Sequence, residues 1–142
     1  MHDSHVCAIL DAMKPSPFEQ FVTFISVRDL HASDAFYGNL LGLPLALDQG
    51  TCRIYRVAGD AYLGVCQRSD AAASQTHGSL ILTLVVQDVD GWHRYLADHG
   101  VTIEQPPQHN PRFNIYHCFL RDPDGYLVEI QRFLDPAWPG AG

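Results

Sequence analysis

Residues 27–30, Val-Arg-Asp-Leu, return at 86–89 as Val-Gln-Asp-Val, and the pair Gly42-Leu43 returns at 100–101 as Gly-Val. A repeat held at a nearly constant offset through a 142-residue chain means two copies of one supersecondary unit, neither of which can bury its apolar face alone. The internal pattern of the copies agrees. Phe21 to Val27 is a β-branched and aromatic run that reads as a strand. Asp29 is placed to cap a helix carrying Leu30, Phe36-Tyr37 and Leu40-Leu41 at helical spacing, and Gly42 stops it. Residues 43–47, 52–57 and 61–66 then read as three short strands, divided by Asp48-Gln49-Gly50 and Ala58-Gly59-Asp60. In the second copy residues 80–86 form a strand and Asp88 or Asp90 caps a helix carrying Val89, Trp92-His93 and Leu96. Gly100 ends that helix, residues 101–104 begin the next strand, and residues 114–121 and 126–132 close a hairpin around Asp122-Pro123-Asp124-Gly125.

The expected fold is α+β: two βαβββ units forming a curved mixed sheet around a cavity, with the helices on its outer face. The boundaries are a flexible leader at 1–17 containing Lys14-Pro15-Ser16-Pro17, a first unit at 18–66, a Ser/Ala/Gln-rich linker at 67–78, a second unit at 79–133 and a tail at 134–142. Residues 18–133 make one structural domain.

Composition narrows the function. Nine Lys and Arg against sixteen Asp and Glu give a net charge of −7, with no basic cluster to meet a phosphate backbone, so nucleic acid is not an expected partner. No apolar run is long enough to span a bilayer, and 6–10 is too short for a signal peptide, so the expectation is a cytoplasmic protein without membrane contact. Cys7, Cys52, Cys66 and Cys118 show no Cys-x-x-Cys spacing and are expected to be free thiols, three of them packed in strands. Glycine-rich phosphate loops and a Gly-x-Ser-x-Gly nucleophile elbow are absent.

The segments 24–30 (Phe-Ile-Ser-Val-Arg-Asp-Leu), Phe36-Tyr37, Leu40-Leu41-Gly42-Leu43, 86–89, Gly100-Val101 and 122–130 (Asp-Pro-Asp-Gly-Tyr-Leu-Val-Glu-Ile) together resemble the vicinal oxygen chelate superfamily. Glyoxalase I, the bleomycin and fosfomycin resistance proteins and the extradiol dioxygenases belong to it. The resemblance implies one divalent ion held by two side chains from each unit. Its final ligand, a glutamate four residues after the glycine of the last turn, falls on Glu129. The first-strand ligand falls on Val22, its counterpart on Ile81, and the fourth-strand position near 64–66, where there is no carboxylate. Functional sites for Ni, Zn, Mn or Fe use three or more protein donors, so no metal is expected, and any ion would rest on Glu129. Hydrocarbon at 22 and 81 favours an apolar guest over a hydrated cation.

Strand alternation then sorts the candidate ligand contacts. If Val22 and Ile81 face the cavity, so do Phe24, Ser26, Thr83 and Val85, and on the last strand Leu127, Glu129 and Gln131. A three-residue turn at 123–125 brings His117 and Phe119 to the same face. His117 with Glu129 is the one acid–base pair the sequence can assemble, read as catalytic; the competing reading is a satisfied polar pair that serves the fold. Phe113 and Arg112, before the seventh strand, complete the expected contacts, and Arg53 and Arg56 are read as solvated surface. An unconventional metal site would need His77 or His109 beside His117. The resemblance implies a homodimeric protein of the bleomycin-resistance type that sequesters a small apolar or aromatic molecule without metal. The alternative is a metal-dependent glyoxalase-like lyase, isomerase or dioxygenase with a site rebuilt around Glu129.

Overall fold

Each repeat folds as a four-stranded sheet backed by its own helix. In the computed structural model, which describes residues 15–69 and 80–140, the first unit contains β1 (Phe21–Val27), α1 (Leu30–Ser33), a π-helical segment (Asp34–Leu40), β2 (Leu45–Asp48), β3 (Cys52–Ala58) and β4 (Ala61–Gln67). The second contains β5 (Ile81–Val85), α2 (Val89–Asp98), β6 (Ile103–Asn110), β7 (Ile115–Arg121) and β8 (Leu127–Phe133). The strand orders are β1-β4-β3-β2 and β5-β8-β7-β6, the same order twice. In each sheet the first strand runs parallel to the fourth and the other pairs are antiparallel. Most of the expected leader and linker lies outside the described residues, as do His2, His5, Cys7 and His77.

One face of each sheet is packed. Ile25, Val27, Leu63 and Val65 from the first sheet and Cys118, Leu120, Val128 and Ile130 from the second meet Phe36, Tyr37, Leu41, Val89 and Leu96 in a common core. Each such side chain contributes about 1.5–3 kcal/mol on leaving water. Asp29 caps α1 by accepting from the His31 amide, and Asp88, not Asp90, caps α2 by accepting from the Gly91 amide.

The Asp-Pro-Asp-Gly turn joins the two halves. The Asp122 amide donates to the Tyr126 carbonyl at 3.0 Å, and Gly125 takes φ 90°, the left-handed region that favours glycine. Asp122 Oδ1 accepts the amides of Asp124 and Tyr126, while Oδ2 accepts the Tyr37 hydroxyl at 2.8 Å. Asp124 accepts the Arg28 amide at 2.9 Å, and the Tyr126 hydroxyl donates to the Ser26 carbonyl at 2.8 Å. Burial holds the Asp122 carboxyl above the ordinary range and, with the Asp122 charge beside it, holds the Tyr37 phenol well above 10.

Three expectations need correction. The first helix gives way after Ser33 to a π-helical segment in which the Leu41 amide donates to the Phe36 carbonyl. Phe36 and Tyr37 both enter the core from this segment. β6 continues through Pro106-Pro107 to Asn110, because it is the edge of its sheet, where missing amide donors are tolerated. Its register shifts twice along the way. Finally, Cys52 and Cys66 form a disulfide between β3 and β4; of the expected free thiols, Cys118 is buried and unbonded. Burial pushes its thiol up to about 11, leaving no reactive thiolate at neutral pH.

A second buried polar group gives the fold a limit in base. The Tyr55 hydroxyl donates to Asp34, which also pairs with Arg53 at 3.1 Å. Burial, then the Asp34 carboxylate, raises Tyr55 from 10.0 to about 12. A phenol raised on folding stabilises fully below its unfolded value, and that contribution is lost as pH rises through the folded one. Stability should therefore decline between pH 10 and about 12 less steeply in Tyr55→Phe than in the parent. Urea midpoints at stepped pH check this, and parallel declines would refute it.

Candidate functional site on the second sheet

The faces turned away from the helices are open. On β1 Val22 and Phe24 are exposed while Ile25 and Val27 are buried, and on β5 Ile81, Thr83 and Val85 are exposed while Leu82 and Leu84 lean on the core. The three-residue turn sets Phe119 opposite Glu129 and His117 opposite Gln131, so all four lie on the open face of the second sheet.

Here the structure gathers a polar cluster inside an apolar surround. Thr83 Oγ1 donates to Glu129 Oε1 at 2.8 Å, and His117 Nδ1 meets Glu129 Oε2 at 2.6 Å. With its amide oriented so that the nitrogen faces the carboxylate, the assignment that satisfies both groups, Gln131 donates to both oxygens, at 2.8 and 3.1 Å. Glu129, His117 and Gln131 are each under 9% exposed. The carboxylate therefore has its acceptor positions filled by neutral or charge-paired donors from three strands. A carboxylate can only accept, so Nδ1 of His117 is the N–H donor, and in the neutral ring Nε2 is left as an acceptor. Among the described residues that buried Nε2 has no partner, nor has the buried Nε2 of Gln105 on β6. Both residues line a cleft of about 580 Å³ walled by Ile81, Phe113, Ile115, Phe119 and Phe133 and edged by Gln108 and Asn110.

Other expected contacts go elsewhere. Val22 and Phe24 lie on the first sheet's open face and do not line this cleft. Arg112 lies over the Phe113 ring, 5.2 Å from its centroid, and not in the cleft. Arg53 is paired with Asp34, and Arg56 donates to the Gly59 carbonyl at 2.7 Å. His109 pairs with Tyr116 across the ladder, on the alternation opposite to His117, so it does not join the cluster. A separate apolar cavity of about 440 Å³ lies between the units, lined by Leu41, Leu43 and Val57 from one and Leu84, Val86 and Trp92 from the other. Sequence reasoning missed Gln105, Gln108 and Asn110. A period-two reading carried through the proline pair, allowing one shift, would have found them.

The registers align the two sheets residue by residue. Phe24 pairs with Gly64 as Thr83 pairs with Glu129, and Cys52 pairs with Cys66 as His117 pairs with Gln131. Where the second sheet carries its polar cluster, the first carries an aromatic ring, a glycine and a disulfide. A Cβ built on Gly64 would lie 2.3 Å from the Phe24 ring, so the ring occupies the space over the position equivalent to Glu129.

A divalent ion does not fit these residues. The positions that the superfamily resemblance assigns to ligands carry Val22, the 64–66 stretch with no carboxylate, Ile81 and a Glu129 already saturated with donors. Among the described residues no three His, Cys, Asp or Glu side chains gather as a metal-binding group.

The model of the Glyoxalase/Bleomycin resistance protein/Dioxygenase superfamily matches residues 19–130. An uncharacterized protein, YraH, of Bacillus subtilis (strain 168) is 25% identical, with 76% of this chain and 93% of that protein covered. A glyoxalase/bleomycin resistance protein/dioxygenase from Nocardioides superposes with a TM-score of 0.69 at 18% identity, covering 97% of this chain and 98% of its own. A lactoylglutathione lyase from Agrobacterium tumefaciens superposes with a TM-score of 0.65 at 24% identity, covering 82% and 95%. At these identities the superpositions speak for the fold.

Proposed function

We propose that this chain, a member of the glyoxalase/bleomycin resistance protein/dioxygenase superfamily, binds a small apolar or aromatic molecule in the cleft of its second sheet, without a metal and as a homodimer. The observation that carries the reading is the state of Glu129: its oxygens are taken by Thr83, His117 and Gln131, and the surrounding wall is hydrocarbon. Such a pocket gains free energy by removing apolar surface from water and offers a hydrated cation nothing in exchange.

A second copy is argued from exposure. Val22 and Phe24 on the open face of the first sheet are 38% and 55% exposed, and Ile81 and Val85 on the second are each more than half exposed. Apolar faces of this kind are covered in stable proteins, and a self-complementary partner is the simplest cover. Among the described residues no helix is long and apolar enough to cross a membrane. The proposal places the protein in the cytoplasm, and the net charge of −7 argues against a nucleic-acid partner.

Elemental analysis after exposure to Ni²⁺, Zn²⁺, Mn²⁺ or Fe²⁺ and dialysis tests the metal-free reading. We expect far less than one ion per chain, whereas stoichiometric metal lost in Glu129→Ala would overturn it. Sedimentation should give twice the 15.8 kDa chain mass. The enzymatic reading draws on the His117–Glu129 pair, and metal-stimulated hemithioacetal isomerisation would establish it in place of sequestration.

A further inference from the structure

We infer that the guest carries a hydroxyl on an aromatic ring, and that this hydroxyl donates to Nε2 of His117. The inference deepens the binding reading above and rests on it. A buried donor or acceptor left without a partner is costly, so the rare exceptions in a folded protein ask for an explanation. His117 is 5% exposed, its ring is fixed on one side by Glu129 and packed edge-on against Phe119 at 5.0 Å, and its remaining nitrogen has nothing to accept from. Glu129 is thus a positioning residue: it fixes the tautomer that leaves Nε2 an acceptor.

The complementary group is constrained from three sides. With Nδ1 donating to Glu129 and the ring carrying a single proton, Nε2 accepts, and the guest must donate to it. An acceptor on the guest also gains, at the hydroxyl or elsewhere on it, since Gln105 on the same cleft presents a buried amide nitrogen with no partner among the described residues. A hydroxyl is the smallest group that does both. It should not be an anion: among the described residues no Lys or Arg lines the cleft, and the Glu129 carboxylate stands beside the acceptor. The rest of the guest is flat and apolar, because Phe113, Phe119 and Phe133 provide ring faces and edges around the polar cluster.

The test compares 2-naphthol with 2-methoxynaphthalene by fluorescence titration of the whole unmodified protein. The ether keeps the ring and the oxygen and lacks only the donor. We expect the naphthol to bind at least about tenfold more tightly, since a site built around a hydrogen bond discriminates against the analogue lacking it. The Nε2 resonance of ¹⁵N-labelled His117 should move on adding naphthol and stay in place with the ether, a readout that needs no variant. In His117→Phe the preference should fall to about twofold or less. Equal binding of both compounds, or a naphthol complex with an unmoved Nε2 resonance, overturns the inference and leaves the apolar-guest reading standing. Failure of both compounds to bind overturns that reading as well.

Discussion

Replacing Asp122 by alanine should cost the fold about 3–5 kcal/mol, among the larger losses a single substitution produces. The carboxylate is buried and is the acceptor for the Tyr37 hydroxyl and the amides of Asp124 and Tyr126. Alanine strands all three donors, each at about 1–3 kcal/mol, and part of that is returned because the carboxylate no longer has to be kept out of water. The damage spreads beyond the turn, because Tyr37 belongs to the first unit and the same turn holds Arg28 and Ser26 through Asp124 and Tyr126. Urea unfolding reads the loss as a lower midpoint at unchanged slope. Asp122→Asn, which keeps one acceptor oxygen, should fall between parent and alanine. Because burial raises the Asp122 carboxyl above 3.8 in the folded state, its protonation favours the fold, and that contribution is lost as pH rises through the folded value. The gap between parent and Asp122→Ala should accordingly be widest in acid. A loss below about 1 kcal/mol would contradict the role given to this side chain.

Reducing the Cys52–Cys66 bond should lower stability by about 3 kcal/mol, the loop-closure value for a sequence separation of 14. A denatured, untreated sample should titrate two thiols, Cys7 and Cys118, out of the four cysteines, and four after reduction. Four thiols in the untreated sample would refute the bond. In a reducing cytosol the pair would stand open, and the protein would work with the lower figure. Cys52→Ser with Cys66→Ser should match the reduced parent and show no further response to reductant.

Much of this architecture was readable because it depends on short-range chemistry. Two aspartate caps, glycine stops and a three-residue turn set where elements begin and end, and the turn alone determines that His117 and Glu129 share a face. What escaped depends on tertiary context. Pro106-Pro107 looks like a break until β6 is known to be an edge, and nothing in the local spacing of Asp34–Leu40 marks its π-helical turn. The disulfide had a signal: Cys52 and Cys66 stand equally far from Gly59 at the β3–β4 turn, hence face each other across a regular hairpin. Placement of Val22 and Phe24 away from the cleft was hidden, since alternation tells which face a residue takes and not which sheet face it will share.

The Phe24 ring over Gly64 has a bearing on the history open to such a chain. Seating an ion on these strands would call for imidazoles at 22 and 81 and an acid at 64, and the acid has no room while residue 24 is phenylalanine. Imidazoles at the exposed positions 22 and 81 meet no such obstacle, so the ring over Gly64 makes the order of substitutions matter: residue 24 has to shrink before an acid can enter beside it.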